Sequence, residues 1–133
     1  MRKYLLDTNI CIFYLKGKYA LDRHLNRVGV ENCCISEITL AELLYGAENS
    51  SNVEKNTQII KDFAKAITIV PIFNALNVYA KEKALLRKAG RMIDDFDLLI
   101  GATAVANDMI LVTDNEKHLS RLSGLNIENW VER

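Results

Sequence analysis

The chain of 133 residues has a single proline, Pro71, and only six glycines. That scarcity excludes collagen-like repeats and argues against a Pro- and Gly-rich disordered segment. No sign of charge dominates, because 17 basic and 17 acidic residues cancel. The molecule as a whole is therefore no basic nucleic-acid coat, although zero net charge leaves room for a local basic patch. Cysteine is sparse and odd in number: Cys11, Cys33 and Cys34 show no CxxC or Cys/His spacing. A disulfide framework is excluded on that count, and the three read as reduced thiols of a cytosolic protein. The longest apolar runs, such as Leu98 to Ala106, fall far short of the roughly 20 residues that span a bilayer. Met1-Arg2-Lys3 is basic, but the apolar run behind it stops at Asp7, so no signal peptide fits. The expected location is the cytoplasm, with no membrane partner.

What the chain does have is apolar content, at 50% of its residues. At this length it forms one domain, residues 1–133, burying about two-thirds of its unfolded surface without staples. Short apolar runs at Lys3 to Leu6, Asn32 to Ile35, Thr68 to Val70 and Met109 to Val112 read as strands, and Asn126 to Glu128 as a last one. Between them lie segments of helical periodicity. These are Thr8 to Leu15, Tyr19 to Val28, Ser36 to about Tyr45 with Gly46 as its stop, Val53 to Ala66, Asn74 to Lys88, Asp95 to Ala106 and Glu116 to Leu122. The polar stretch Glu48 to Lys55 suits the tip of a helical hairpin. Strands alternating with helices predict an α/β fold: a central parallel sheet of about four to five short strands flanked by helices.

In such a sheet, sites form at the carboxyl ends of the strands. Asp7 follows the first strand, Glu42 lies in the helix after the second, Asp97 opens the helix before the fourth, and Asp114-Asn115 follow the fourth. All can meet at one edge. Taken singly, each has a plain structural reading. Asp7 can cap a helix, Asp97 can oppose a helix dipole, and Asp114 can sit in a turn. Glu42 resists this, because its neighbours three and four residues away are Ile38, Thr39, Tyr45 and Gly46, not a charged face. Capping by Asp94 or Asp95 also leaves unexplained why a third acid enters the apolar segment at Asp97. Two carboxylates about 4 Å apart repel by about 4 kcal/mol at an effective dielectric near 20. Several together need protons or a hard divalent cation, and magnesium or manganese suits carboxylate and water ligands. The implied chemistry is metal-assisted phosphodiester hydrolysis.

Four segments, in order, carry a family likeness: Leu5-Leu6-Asp7-Thr8-Asn9, Ser36 to Gly46 around Glu42, Asp97-Leu98-Leu99-Ile100-Gly101-Ala102-Thr103-Ala104, and Leu111-Val112-Thr113-Asp114-Asn115. Over almost the whole length the chain resembles the PIN-domain ribonucleases, and within them the VapC toxins of bacterial toxin–antitoxin pairs. The resemblance implies a PIN-like fold and a magnesium-dependent endoribonuclease, with manganese as the alternative ion. It implies Asp7, Glu42 and Asp97 as metal ligands and Asn115 as the uncharged fourth catalytic position, with Asp114 in the variable place before it. Thr8, Asn9, Ser36 and Thr113 are candidates to hydrogen-bond the acids or the scissile phosphate, and capping and turn roles account for them equally well. The resemblance further implies an RNA substrate, a homodimer and a cognate antitoxin that lays an amphipathic segment over the acidic pocket. The pattern departs at His118-Leu119, where a Phe usually follows, at Asn74 in place of Asp, and at Gly101 in place of Ala.

His24 and His118 are isolated, and His118 is expected as a surface residue or an RNA contact. Lys81, Lys83, Arg87, Lys88 and Arg91 form either a solvated helix face or a phosphate-steering patch. Ile10, Phe13, Tyr14, Ile38, Leu40, Leu44 and Tyr45 fit core packing, a dimer seam or an antitoxin groove. Two other function classes are open at this point. A phosphoaspartyl phosphatase using Asp7 as nucleophile would need a second Asp where Asn9 stands. A PIN-like module without activity would use the same fold only to dock a partner.

Overall fold

Three residues of extended chain, Tyr4–Leu6 (β1), form the middle of the molecule. A computed structural model describes residues 2–133 and places β1 between β2 (Cys33–Ser36) and β4 (Ile110–Val112). β3 (Thr68–Val70) and β5 (Asn126–Glu128) flank these, giving the order β3-β2-β1-β4-β5. Every pairing is parallel, with Leu5 opposite both Cys34 and Leu111. Parallel pairing needs crossovers, and these are the helices α1 (Thr8–Leu15), α2 (Leu21–Val28), α3 (Glu37–Glu48), α4 (Val53–Ala66), α5 (Leu76–Lys88), α6 (Asp95–Ala106) and α7 (Glu116–Leu119).

Side chains alternate along each strand, so neighbours feed opposite layers. Leu6, Cys33, Ile35 and Val112 pack with Ile10, Leu25, Leu43, Ile60 and Phe63 of α1 to α4. Leu5, Cys34, Val70 and Leu111 pack with Leu86, Leu98, Ile100, Ala104 and Leu119 of α5 to α7. The strands are apolar throughout because both faces are covered, as an all-parallel sheet requires. This is the sandwich of helices around four or five parallel strands expected from the alternating pattern. No helix among the described residues is long and apolar enough to cross a membrane.

Several boundaries differ from the sequence reading. Gly46 does not end α3, which runs to Glu48. Leu43 and Ala47 are buried on the side facing α4, and that packing carries the helix through an exposed glycine. The turn into α4 is then only four residues long, and Asn52 caps the new helix by accepting a hydrogen bond from Lys55 N at 3.2 Å. Tyr19 and Ala20 have left-handed backbone, so α2 begins at Leu21. A short 3-10 turn, Phe73–Ala75, replaces the expected start of α5 at Asn74. α7 stops at Leu119, and Glu82, buried on α5, accepts a hydrogen bond from the Ser123 backbone beyond it.

Ile35 lies in β2, paired on both sides, with no exposed surface. Truncation to alanine leaves a cavity in a layer that cannot collapse. Urea unfolding of Ile35→Ala is expected to show a loss of about 2–5 kcal/mol with an unchanged m-value. A loss below about 1 kcal/mol, the cost of a surface change, would contradict this packing.

Candidate active site at the switch point of the sheet

The chain runs outward from β1 to β2 and β3, then returns to the other side for β4 and β5. The carboxyl ends of β1 and β4 therefore flank the crevice where an open parallel sheet reverses its order. Asp7 emerges at one lip and Thr113 to Asn115 at the other. The Asp7 backbone N–H donates to Val112 O at 2.9 Å, continuing the β1–β4 ladder into the site.

Asp7 is only 4% exposed. It caps α1, with Oδ1 accepting from Thr8 N at 2.8 Å, and its Oδ2 accepts from Thr113 Oγ1 at 2.7 Å. Burial nonetheless pushes its pKa above the ordinary 3.8, against the two hydrogen bonds. Glu42 reaches the same place from α3, where its Oε1 accepts from Thr8 Oγ1 at 2.7 Å. The Thr39 hydroxyl, fully buried one turn before Glu42, lies 3.1 Å from Thr8 Oγ1. Thr8 thus links the first acid, through its backbone, to the second, through its hydroxyl.

Asp97 enters from the first turn of α6. Asp94 does the capping there, its Oδ2 accepting from Phe96 N at 3.1 Å and Asp97 N at 3.4 Å. Asp95 is engaged by Lys83 and Tyr79, each at 2.9 Å. Asp97 is free to face the crevice, where its Oδ2 accepts from Asn115 Nδ2 at 3.3 Å. Its pKa is pushed up to about 6, first by burial and then by the negative charges of Asp7, Asp94 and Glu42. That mutual repulsion is the electrostatic mark of acids sharing one space.

The structure thus brings together Asp7, Glu42, Asp97 and Asn115, with Thr8 and Thr113 as hydrogen-bonding supports. Three other candidates stand apart from the acids. Ser36 is buried and caps α3 by accepting from Ile38 N at 3.0 Å. Asn9 is exposed on the first turn of α1. Asp114 turns away to Arg133, which grips it at 2.9 and 2.7 Å, and to Asn129 at 3.3 Å. Asp94 and Thr39 add to the site without having been candidates. Asp94 was read only as a cap, which it also is, and the spacing of Thr39 from Glu42 was the available signal for its place.

None of Asp7, Glu42 and Asp97 has a cationic partner among the described residues, whose ion pairs are Arg2–Asp108, Lys83–Asp95 and Arg133–Asp114. Clustered carboxylates without a cation, two of them, Asp7 and Asp97, with raised pKa, are a donor set suited to a hard divalent ion. No three His, Cys, Asp or Glu side chains among the described residues are gathered into a ready-made cage. The set therefore fits an ion held by one or two carboxylates and completed by water and phosphate oxygens. Beside Glu42, a groove of about 400 Å³ opens between α1, α3 and α4, lined by Ile12, Leu15, Leu43, Ile59 and Ile60.

The raised pKa of Asp97 has a definite thermodynamic sign. The folded state holds the proton more tightly than the unfolded one, so the metal-free protein gains stability as pH falls through about 6 toward 3.8. At pH 7.5 the charged Asp97 is a cost that Asp97→Asn removes. In chelator, the variant should melt above the wild type at pH 7.5, and the difference should shrink toward pH 4.5. A wild type at least as stable as the variant at pH 7.5 would contradict the clustering.

Comparison with known proteins places the chain in a family. The profile of the PIN domain matches residues 4–125. The tRNA(fMet)-specific endonuclease VapC of Shigella flexneri is 37% identical over 131 residues, covering 98% of this chain and 99% of that protein. Ribonuclease VapC2 of Haemophilus influenzae is 39% identical over 135 residues, covering 98% and 100%. Among solved structures, a chain in DNA-bound VapBC from Salmonella typhimurium superposes with a TM-score of 0.89 at 32% identity, covering 98% of this chain and 99% of that one. The profile match, the identity over nearly the full length and the superposition agree: the chain belongs to the PIN-domain family, in its VapC branch.

Proposed function

We propose that the chain is a magnesium-dependent endoribonuclease, the toxin of a toxin–antitoxin pair, hydrolysing RNA phosphodiester bonds with water. The observation that carries the reading is the meeting of Asp7, Glu42 and Asp97 at one crevice without a cation, where burial first, and then the charges of Asp7, Asp94 and Glu42, raise Asp97 to about 6. In this reading Asp7, Glu42 and Asp97 are the ligand set for magnesium, or manganese in its place, with one or two carboxylates binding directly and water and phosphate oxygens completing the shell. When bound, the ion lowers the pKa of water and stabilises charge on the phosphate and the leaving oxygen.

The chain's own residues set the geometry. Thr113 and the Thr8 backbone hold the Asp7 oxygens, Thr8 Oγ1 orients Glu42, and Asn115 orients Asp97. Both Asp7 oxygens are engaged and the residue is buried, which suits a fixed ligand better than a nucleophile in a phosphoaspartyl mechanism. Lys81, Arg87, Lys88 and Arg91 are exposed on or beyond α5 and supply positive charge for RNA phosphates, whereas Lys83 is occupied by Asp95.

The apolar groove ending at Glu42 fits an antitoxin segment with apolar side chains on one face, laid across the approach to the acids. The VapBC complexes among the structural relatives support this partner. A homodimer is the expected assembly, and three free cysteines, all buried, accord with a reducing cytoplasm.

The test is cleavage of total cellular RNA by purified protein, with magnesium and with a chelator. Discrete products that need magnesium are expected. Asp7→Asn and Asp97→Asn should each lower the rate by roughly 100-fold or more, the equivalent of about 3 kcal/mol at the transition state, with folding retained. Equal cleavage by the folded variants would remove the acids from the reaction. Magnesium should also raise the melting temperature, since tenfold excess over Kd contributes about 1.4 kcal/mol. This shift should be lost in Asp97→Asn.

A further inference from the structure

Asn115 is the one uncharged member of the site, and an amide can face a carboxylate in two ways. Its Nδ2 lies 3.3 Å from Asp97 Oδ2, and its Oδ1 lies 2.9 Å from His118 Nδ1. An ionised carboxylate only accepts hydrogen bonds, so Nδ2 must face Asp97. Oδ1 is then left facing the imidazole, and an oxygen acceptor there requires the proton on Nδ1. Flipping the amide would set Oδ1 against the carboxylate and Nδ2 against a ring N–H, losing both bonds at once.

Everything else about Asn115 is already held. Its backbone N–H donates to Thr113 Oγ1 at 2.9 Å, the same hydroxyl that donates to Asp7 Oδ2. The loop is thereby tied to Asp7, and the side-chain torsions are what remain to be set. His118 sits three residues later on the same turn of α7, whose Leu119 is fully buried and anchors the helix. The Asn115–Asp97 bond is long, so it depends on an amide held in the correct sense.

We propose that His118 is a positioning residue for the reaction: its Nδ1–H fixes the Asn115 amide, which in turn holds the Asp97 carboxylate toward the crevice. The proposal rests on the reading of Asp97 and Asn115 as site residues. It assigns His118 neither a metal nor an RNA contact. Partners of this kind, one bond removed from the acid, typically change activity by about 10–100-fold when removed.

Because His118 is exposed, its variants should fold as the wild type does. His118→Phe keeps a ring and removes the donor, and His118→Asn keeps an N–H at the same distance from the backbone. With RNA cleavage as readout, His118→Phe should lower kcat by roughly 10–100-fold with KM within about twofold. His118→Asn should restore most of the loss, and His118→Phe should cost nothing further in an Asn115→Ala background. Nitrogen NMR of the neutral wild-type ring should show the Nδ1–H tautomer, the minor form of free imidazole side chains. An Nε2–H tautomer, additive losses in the double variant, or a raised KM at constant kcat would each overturn the proposal. Wild-type protein with the Nδ1–H tautomer and no ribonuclease activity would instead remove the nuclease reading and leave the hydrogen-bond chain supported.

Discussion

The buried carboxylate of Asp7 is the constraint around which the molecule is arranged. It lies where the central strand ends, caps the first helix, and takes the hydroxyl of Thr113 from the strand beside it. A carboxylate this deeply buried is costly unless its oxygens are satisfied; the Thr8 backbone N–H next in the chain satisfies one, and the Thr113 hydroxyl, brought by the parallel β1–β4 pairing, satisfies the other. Site and fold are therefore one problem: the ladder that orders the sheet also delivers the donor that makes the acid tolerable.

From that point the site spreads by hydrogen bonds more than by charge. Thr8 carries the connection to Glu42, and Thr113 carries it through the Asn115 backbone to the amide facing Asp97. Two threonines and one asparagine thus place three like charges within mutual influence. Burial and the repulsion among the acids together raise the pKa of Asp97, yet the neutral groups between them hold the arrangement. Carboxylates held together by neutral groups, with no cationic side chain paired to them among the described residues, are the physical content of the proposed cation.

Much of this was legible in the residue pattern. The strands were readable because both faces of a parallel sheet are buried, so each appears as a short apolar run. Asp7, Glu42 and Asp97 were readable because an acid in an apolar setting needs a reason. What escaped depended on tertiary contacts. Gly46 reads as a helix stop by local propensity, but packing of Leu43 and Ala47 carries α3 past it. Asp114 and Asn115 are adjacent and chemically similar, yet one turns to Arg133 and the other to Asp97. The family likeness separates them, with Asn115 in the fourth position and Asp114 in the variable place, but residue chemistry alone does not, since the partners lie 18 and 19 positions away. Thr39 is not among the candidates although its spacing from Glu42 points to it, and His118 is considered without its Asn115 partner, because the partner of a hydroxyl or imidazole is fixed only once the backbone is placed.

The strand order has a consequence for the making of the protein. β1 leaves the ribosome first and becomes the centre of the sheet, but its neighbour β4 does not exist until residue 112 has been added. An unfinished chain lacking α6 and β4 holds Asp7 and Glu42 without Asp97, Asn115 or the Thr113 hydroxyl that satisfies Asp7. The crevice therefore comes into being only after residue 115 has been added, because long-range pairing must wait for its partner. A chain that carries its acids in widely separated segments keeps its site in pieces for most of its own translation.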